Sequence, residues 1–71
     1  MYVEYRSASR GYQICVEEDL FGCFILYRRW FGLSNRRGGS KKQVFFNKDE
    51  AIKEFQRVER LRVRRGYSAM R

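Results

Sequence analysis

Val44-Phe45-Phe46-Asn47-Lys48-Asp49-Glu50-Ala51-Ile52-Lys53-Glu54-Phe55 contains the point at which the chain changes its period. Up to Phe46 the residues are β-branched and aromatic, the composition of a strand. Beyond Asn47, the apolar positions Ala51, Ile52, Phe55, Val58 and Leu61 recur at helical spacing. Asn47 followed by Glu50 has the spacing of a capping box, with Asn in the place of the usual Ser or Thr. Gly66 supplies a stop, so the pattern predicts one helix over about residues 48 to 65. At ~100° per residue, the apolar set occupies one half of the cylinder and Lys53, Arg57, Arg60 and Arg64 the other. Arg62 breaks the pattern, because it falls near the middle of the apolar stripe. Either it snorkels or the helix has by then run past the edge of the sheet. Asp49 and Glu50 at the start, with Arg62, Arg64 and Arg65 at the end, suit the helix dipole. Glu50 to Lys53, Glu54 to Arg57 and Glu59 to Arg62 are spaced as i,i+3 ion pairs.

Upstream of the helix the signals are those of strands. Tyr12-Gln13-Ile14-Cys15-Val16-Glu17 alternates apolar and polar, the pattern of a half-buried strand. Residues 17 to 22 read as a turn, and Cys23-Phe24-Ile25-Leu26-Tyr27-Arg28-Arg29-Trp30-Phe31 is a run suited to a central strand. These two segments are expected to form an antiparallel hairpin. Residues 32 to 40 are a glycine-bearing loop, Lys41 to Phe46 a further strand, and Tyr2 to Tyr5 an edge strand. The fold class predicted is α+β, a twisted antiparallel sheet of about four strands packed on one face by a single C-terminal helix. Residues 1–71 form one domain, near the lower limit of ~70 to 80 residues at which a single core suffices.

One Trp, five Tyr and six Phe supply much of the burial, and with 44% hydrophobic residues and no proline the chain is globular. No apolar run approaches the ~18 residues needed to span a bilayer, and the first residues lack the layout of a signal peptide. A cytoplasmic protein without membrane contact is the expectation. Cys15 and Cys23 are too few for a disulfide scaffold and are expected as two free, mostly buried thiols, although a hairpin could bring them close. With no histidine there is no zinc set, no metal or cofactor is expected, and the commonest general base is missing. An enzyme is not expected.

The net charge is +8. From Leu20 to Lys48 there is no acidic residue, while Arg28, Arg29, Arg36, Arg37, Lys41 and Lys42 fall within it, as do Trp30 and Phe31. Cations free of carboxylates, gathered by a strand, a loop and a returning strand, make a phosphate-contacting surface on which an aromatic ring can stack a base or sugar. These eight residues are the candidate nucleic-acid-binding set. Alternation also puts Trp30 on the side of Phe24 and Leu26, which makes it a core anchor if that side lies under the helix, with Phe31 as the exposed ring. Gly38 and Gly39 read either as a hairpin turn or as an anion-binding nest.

Arg29-Trp30-Phe31-Gly32-Leu33, Gly38-Gly39-Ser40-Lys41-Lys42, Phe45-Phe46, Asp49-Glu50-Ala51-Ile52-Lys53-Glu54-Phe55 and Arg65-Gly66-Tyr67 together resemble a WGR domain. Gly11-Tyr12-Gln13-Ile14 is similar to the aromatic first strand of that module, so the resemblance runs from about Gly11 to Tyr67. It implies a twisted antiparallel sheet with one helix, acting on nucleic acid, DNA ahead of RNA. Trp30 matches the Trp of the Trp-Gly-Arg motif. Phe31 and Gly32 stand where Gly and Arg are expected, so the motif cation is absent. The competing class is a protein-interaction module whose basic face docks an acidic protein partner.

Overall fold

The computed structural model describes residues 1–35 and 37–70. Five strands and one helix follow in order: β1 Tyr2–Arg6, β2 Arg10–Glu18, β3 Phe24–Gly32, β4 Gly38–Phe45, α1 Lys48–Arg64 and β5 Ser68–Met70. The strands form one sheet in the order β4-β3-β2-β1-β5, with antiparallel neighbours throughout. The α+β class is as the sequence predicts, with one strand more than expected. That strand, β5, is three exposed residues long and pairs Ser68 and Met70 with Arg6 and Glu4 of β1. It has too few residues for an alternating pattern to register.

Alternation sorts the sheet into a face under the helix and an open face. Tyr5, Tyr12, Ile14 and Leu26 meet Ala51, Phe55 and Val58 of α1, and these seven residues are the buried apolar core. Ile14, Leu26 and Val58 are fully buried, each contributing ~1.5 to 3 kcal/mol by removal from water. Lys53, Arg57, Arg60 and Arg64 face solvent as the periodicity requires. Asn47 caps the helix, its side-chain oxygen accepting from the Asp49 N–H at 2.8 Å. The reciprocal half of a capping box, Glu50 to the cap, is not formed.

The helix crosses the sheet obliquely. Glu54, near its middle, meets Arg28 of β3 at 3.2 Å, whereas Glu59 accepts from the Tyr5 hydroxyl of β1 at 2.7 Å. As α1 advances it therefore moves off β3 and β4 toward β1, leaving one corner of its face of the sheet open. Of the three expected i,i+3 ion pairs only Glu54–Arg57 forms, at 2.6 Å, because Glu59 is engaged by Tyr5 and Arg62 turns elsewhere.

At the other end of the strands, β2 and β3 are joined by a stiff turn. The Asp19 carboxylate accepts from the N–H groups of Phe21 and Cys23, both at 2.8 Å, and Gly22 takes the left-handed φ of 81° that favours glycine. Cys15 and Cys23 are free and half-buried, a correction to the mostly buried expectation. Cys15 pairs with Tyr27, four residues beyond Cys23, or about 13 Å of strand, too far for a disulfide. Burial, with the nearby Glu17, pushes the Cys15 thiol above its ordinary pKa. Among the described residues no helix is long and apolar enough to cross a membrane.

Candidate nucleic-acid interface

The open corner is built from glycine, aromatic rings and one displaced arginine. Trp30 lies on the helix side of β3 but beyond the reach of α1, and its indole stacks on the Tyr12 ring at 6.2 Å and 18°. Across the sheet Trp30 pairs with Gly39 and Phe31 with Gly38. A side chain at Gly39 would stand 2.8 Å from the indole, and one at Gly38 would stand 2.2 Å from the Trp30 carbonyl oxygen. The glycine pair is therefore part of β4, neither a hairpin turn nor a nest; the bareness of Gly39 lets the Trp30 indole lie across the edge strand, and that of Gly38 lets the two backbones approach.

The C-terminus of α1 supplies the rest. Gly66 at φ 88° lets the Tyr67 N–H donate to the Arg62 carbonyl at 2.9 Å and the Gly66 N–H donate to the Val63 carbonyl at 3.1 Å. This is a Schellman motif, in which the residue after the glycine folds back onto the last turn. The residues so joined are Tyr67 and Arg62. The Arg62 guanidinium lies 4.3 Å from the centre of the Tyr12 ring and 5.4 Å from that of Tyr67, and the two rings meet edge to face. The Arg62 Nε is buried and has no hydrogen-bond partner. Neither explanation for an arginine in the apolar stripe holds: at Arg62 the helix still lies over the sheet, and the side chain packs on the ring of Tyr12 in the central strand β2, with its Nε buried.

A loop closes the corner from above. The Leu33 N–H donates to the Ser9 carbonyl at 3.0 Å, which ties Leu33 to the β1–β2 turn, and the Gly32 N–H donates to the Arg37 carbonyl at 2.9 Å. The result is a groove of about 570 Å³ lined by Ser9, Arg10, Tyr12, Trp30, Phe31, Gly32, Ser34, Asn35, Arg37, Gly38, Arg62 and Tyr67. Three of these are arginines, four are aromatic and none is a carboxylate. Trp30 is 40% exposed, so one part of the indole is free while the other rests on Tyr12.

The candidate residues separate around this groove. Trp30, Phe31 and Arg37 line it. Phe31, expected as the exposed ring, is instead half-buried: it points to the open face and covers Gly11, where a Cβ would stand 2.3 Å from the ring. Arg29 lies over the Phe31 ring at 5.4 Å on that same face, and alternation puts Lys42 there too. Lys41 is exposed on the helix side of the edge strand. Arg28 is turned inward, donating to Gln43 and, at 3.2 Å, to Glu54. Arg36 lies outside the described residues. Arg57, and after it Arg28, holds the Glu54 carboxyl below its ordinary pKa against the opposing effect of burial. The charged and aromatic lining residues not anticipated as site residues are Arg10, Tyr12, Arg62 and Tyr67. Only Arg62 carried a signal, the break in helical periodicity.

Comparison with known families gives one match: a model described as WGR domain fits residues 3–71. No curated protein and no solved structure matches the chain.

Proposed function

Because the chain belongs to the WGR domain family, we propose that it is a nucleic-acid-binding module that engages DNA in preference to RNA through the groove at Trp30. The observation that carries this reading is the lining itself, three arginines and the rings of Tyr12, Trp30 and Tyr67 with no carboxylate among the lining residues. A base or sugar stacks on the free part of Trp30, and Arg10 and Arg37 hold the flanking phosphates. Arg62 supplies, from the helix, a cation in the groove of a domain whose motif cation is missing. Lys41, at the edge strand, and Arg29 and Lys42, on the open face, extend the positive surface away from the groove, and Arg28 serves the fold through Glu54 and Gln43. The role proposed is binding, a reading supported by a lining of arginines and aromatic rings suited to phosphates and bases.

The test is a titration of duplex, nicked and single-stranded DNA and of RNA at several salt concentrations. With about four cations on duplex phosphates, the log-log slope of affinity against salt is expected at roughly −3 to −4, from ~0.9 per contact. No binding to any of these, or binding indifferent to salt, would overturn the reading and favour an acidic protein partner for the basic face.

A further inference from the structure

The end of the sheet away from the groove has the opposite chemistry. Leu20 and Phe21, on the β2–β3 turn, are 100% and 90% exposed, and the turn is stiffened by the hydrogen bonds to Asp19. Met1 and Phe46 are exposed at the same end, since Met1 bonds Val16 and Phe45 pairs with Phe24. Glu17 and Glu18 flank the turn, and Asp49 and Glu50 open the helix beside it. A rigid tip that holds two large apolar side chains in water marks a contact surface, and its carboxylates exclude a polyanion as occupant.

We propose that this tip docks into the Trp30 groove of a second copy of the chain, Phe21 entering against Trp30 and Tyr12 while Glu17 and Glu18 meet Arg10 and Arg37. An exposed ring between carboxylates matches a groove of rings between arginines, in charge and in apolar surface. The molecule's own tip cannot fill its own groove. The nine residues of β3 run from one to the other, about 26 Å at ~3.3 Å per residue, in a body 38 Å long. The contact is head to tail, so it builds open chains unless two copies close antiparallel on each other. The +8 charge of each copy opposes association at long range, which confines it to high concentration.

Sedimentation equilibrium of the chain between micromolar and millimolar concentration, with no nucleic acid present, tests this apart from the nucleic-acid reading. The weight-average mass is expected to rise with concentration, with a parallel change in emission from Trp30, the sole tryptophan. Leu20→Ser with Phe21→Ser removes the tip and Arg37→Glu removes the groove, and each variant alone is expected to stay monomeric with an unaltered unfolding midpoint. Mixed together they regain association, as one intact tip meets one intact groove, and the mass stops at that of a dimer. A wild-type chain monomeric at every concentration would overturn the proposal. So would an Arg37→Glu chain that still associates, since tip-to-tip contact needs no groove, and so would a mixture that stays monomeric.

Discussion

Leu26 and Trp30 stand on the same face of β3, two periods of alternation apart, yet Leu26 is fully buried and Trp30 is 40% exposed. The difference is made by the helix and not by the strand. Over Leu26, α1 brings Phe55 and Val58 into the core; by the Trp30 level it has moved toward β1, where Glu59 meets Tyr5. Tyr12 stands between the two regimes, buried in the core yet stacked against the open indole. One face thus does two things. Where it is covered its side chains stabilise the domain, and where it is uncovered the same alternation leaves rings and arginines facing the open groove.

The largest effect is expected where the cover is complete. Phe55→Ala removes a 4% exposed ring from the core and is expected to cost ~3 to 5 kcal/mol, which a domain of this size has little margin to absorb. Chemical denaturation followed by circular dichroism measures it. A variant that unfolds cooperatively at the wild-type midpoint would break the division between covered and uncovered regions at its base.

The covered region was also the legible one. Ala51, Phe55 and Val58 declare their face by spacing, and Ile14 and Leu26 declare theirs by alternation, because burial acts on each residue through its own element's period. The corner was legible in its Trp and its cations but not in its construction. Gly38-Gly39 reads as a turn in any local window; Gly39 makes room for an indole, and Gly38 for a backbone, on the neighbouring strand, which no local window contains. Arg62 announced that something was wrong with a purely apolar stripe, but its destination depends on Tyr12, fifty residues earlier, and on Tyr67, which the glycine turn folds back. The expected Glu59–Arg62 pair failed for the same reason, as both side chains had better partners on other elements.

A smaller effect belongs to the boundary, where Glu54 joins α1 to β3. Its carboxyl is held below the ordinary value by Arg57 first and then by Arg28. A group whose folded pKa is depressed contributes stability that is fully present above its unfolded pKa and is lost as pH falls through its folded pKa. Glu54→Gln is accordingly expected to lower stability at neutral pH by ~1 to 3 kcal/mol, chiefly by leaving the mostly covered Arg28 short of a partner. Half-exposed Arg57 adds little. The variant's stability should then decline less than the wild type's as the pH is lowered through the acid range. Denaturant midpoints that fall in parallel for both proteins would show that the carboxylate does not hold helix to sheet.

The smallest expected change in stability separates the two regions most sharply. Arg62→Met keeps an unbranched stem against Tyr12 and Tyr67 while removing the guanidinium. Two terms oppose each other: the lost cation–π contact costs ~0.5 to 1 kcal/mol, and removing a buried Nε without a partner relieves a desolvation penalty of ~1 to 3 kcal/mol. The unfolding midpoint is therefore expected to hold or rise slightly. Binding should respond in the other direction, because on the proposed reading Arg62 is one of the phosphate-facing cations, and the salt slope on duplex DNA should shrink by ~0.9. Arg62→Lys restores the charge without the planar fork and should recover the slope more fully than the affinity. If Arg62→Met instead unfolds early and, while folded, binds with the wild-type slope, Arg62 belongs with Phe55 as a part of the covered region, and the cations of the groove reduce to Arg10 and Arg37.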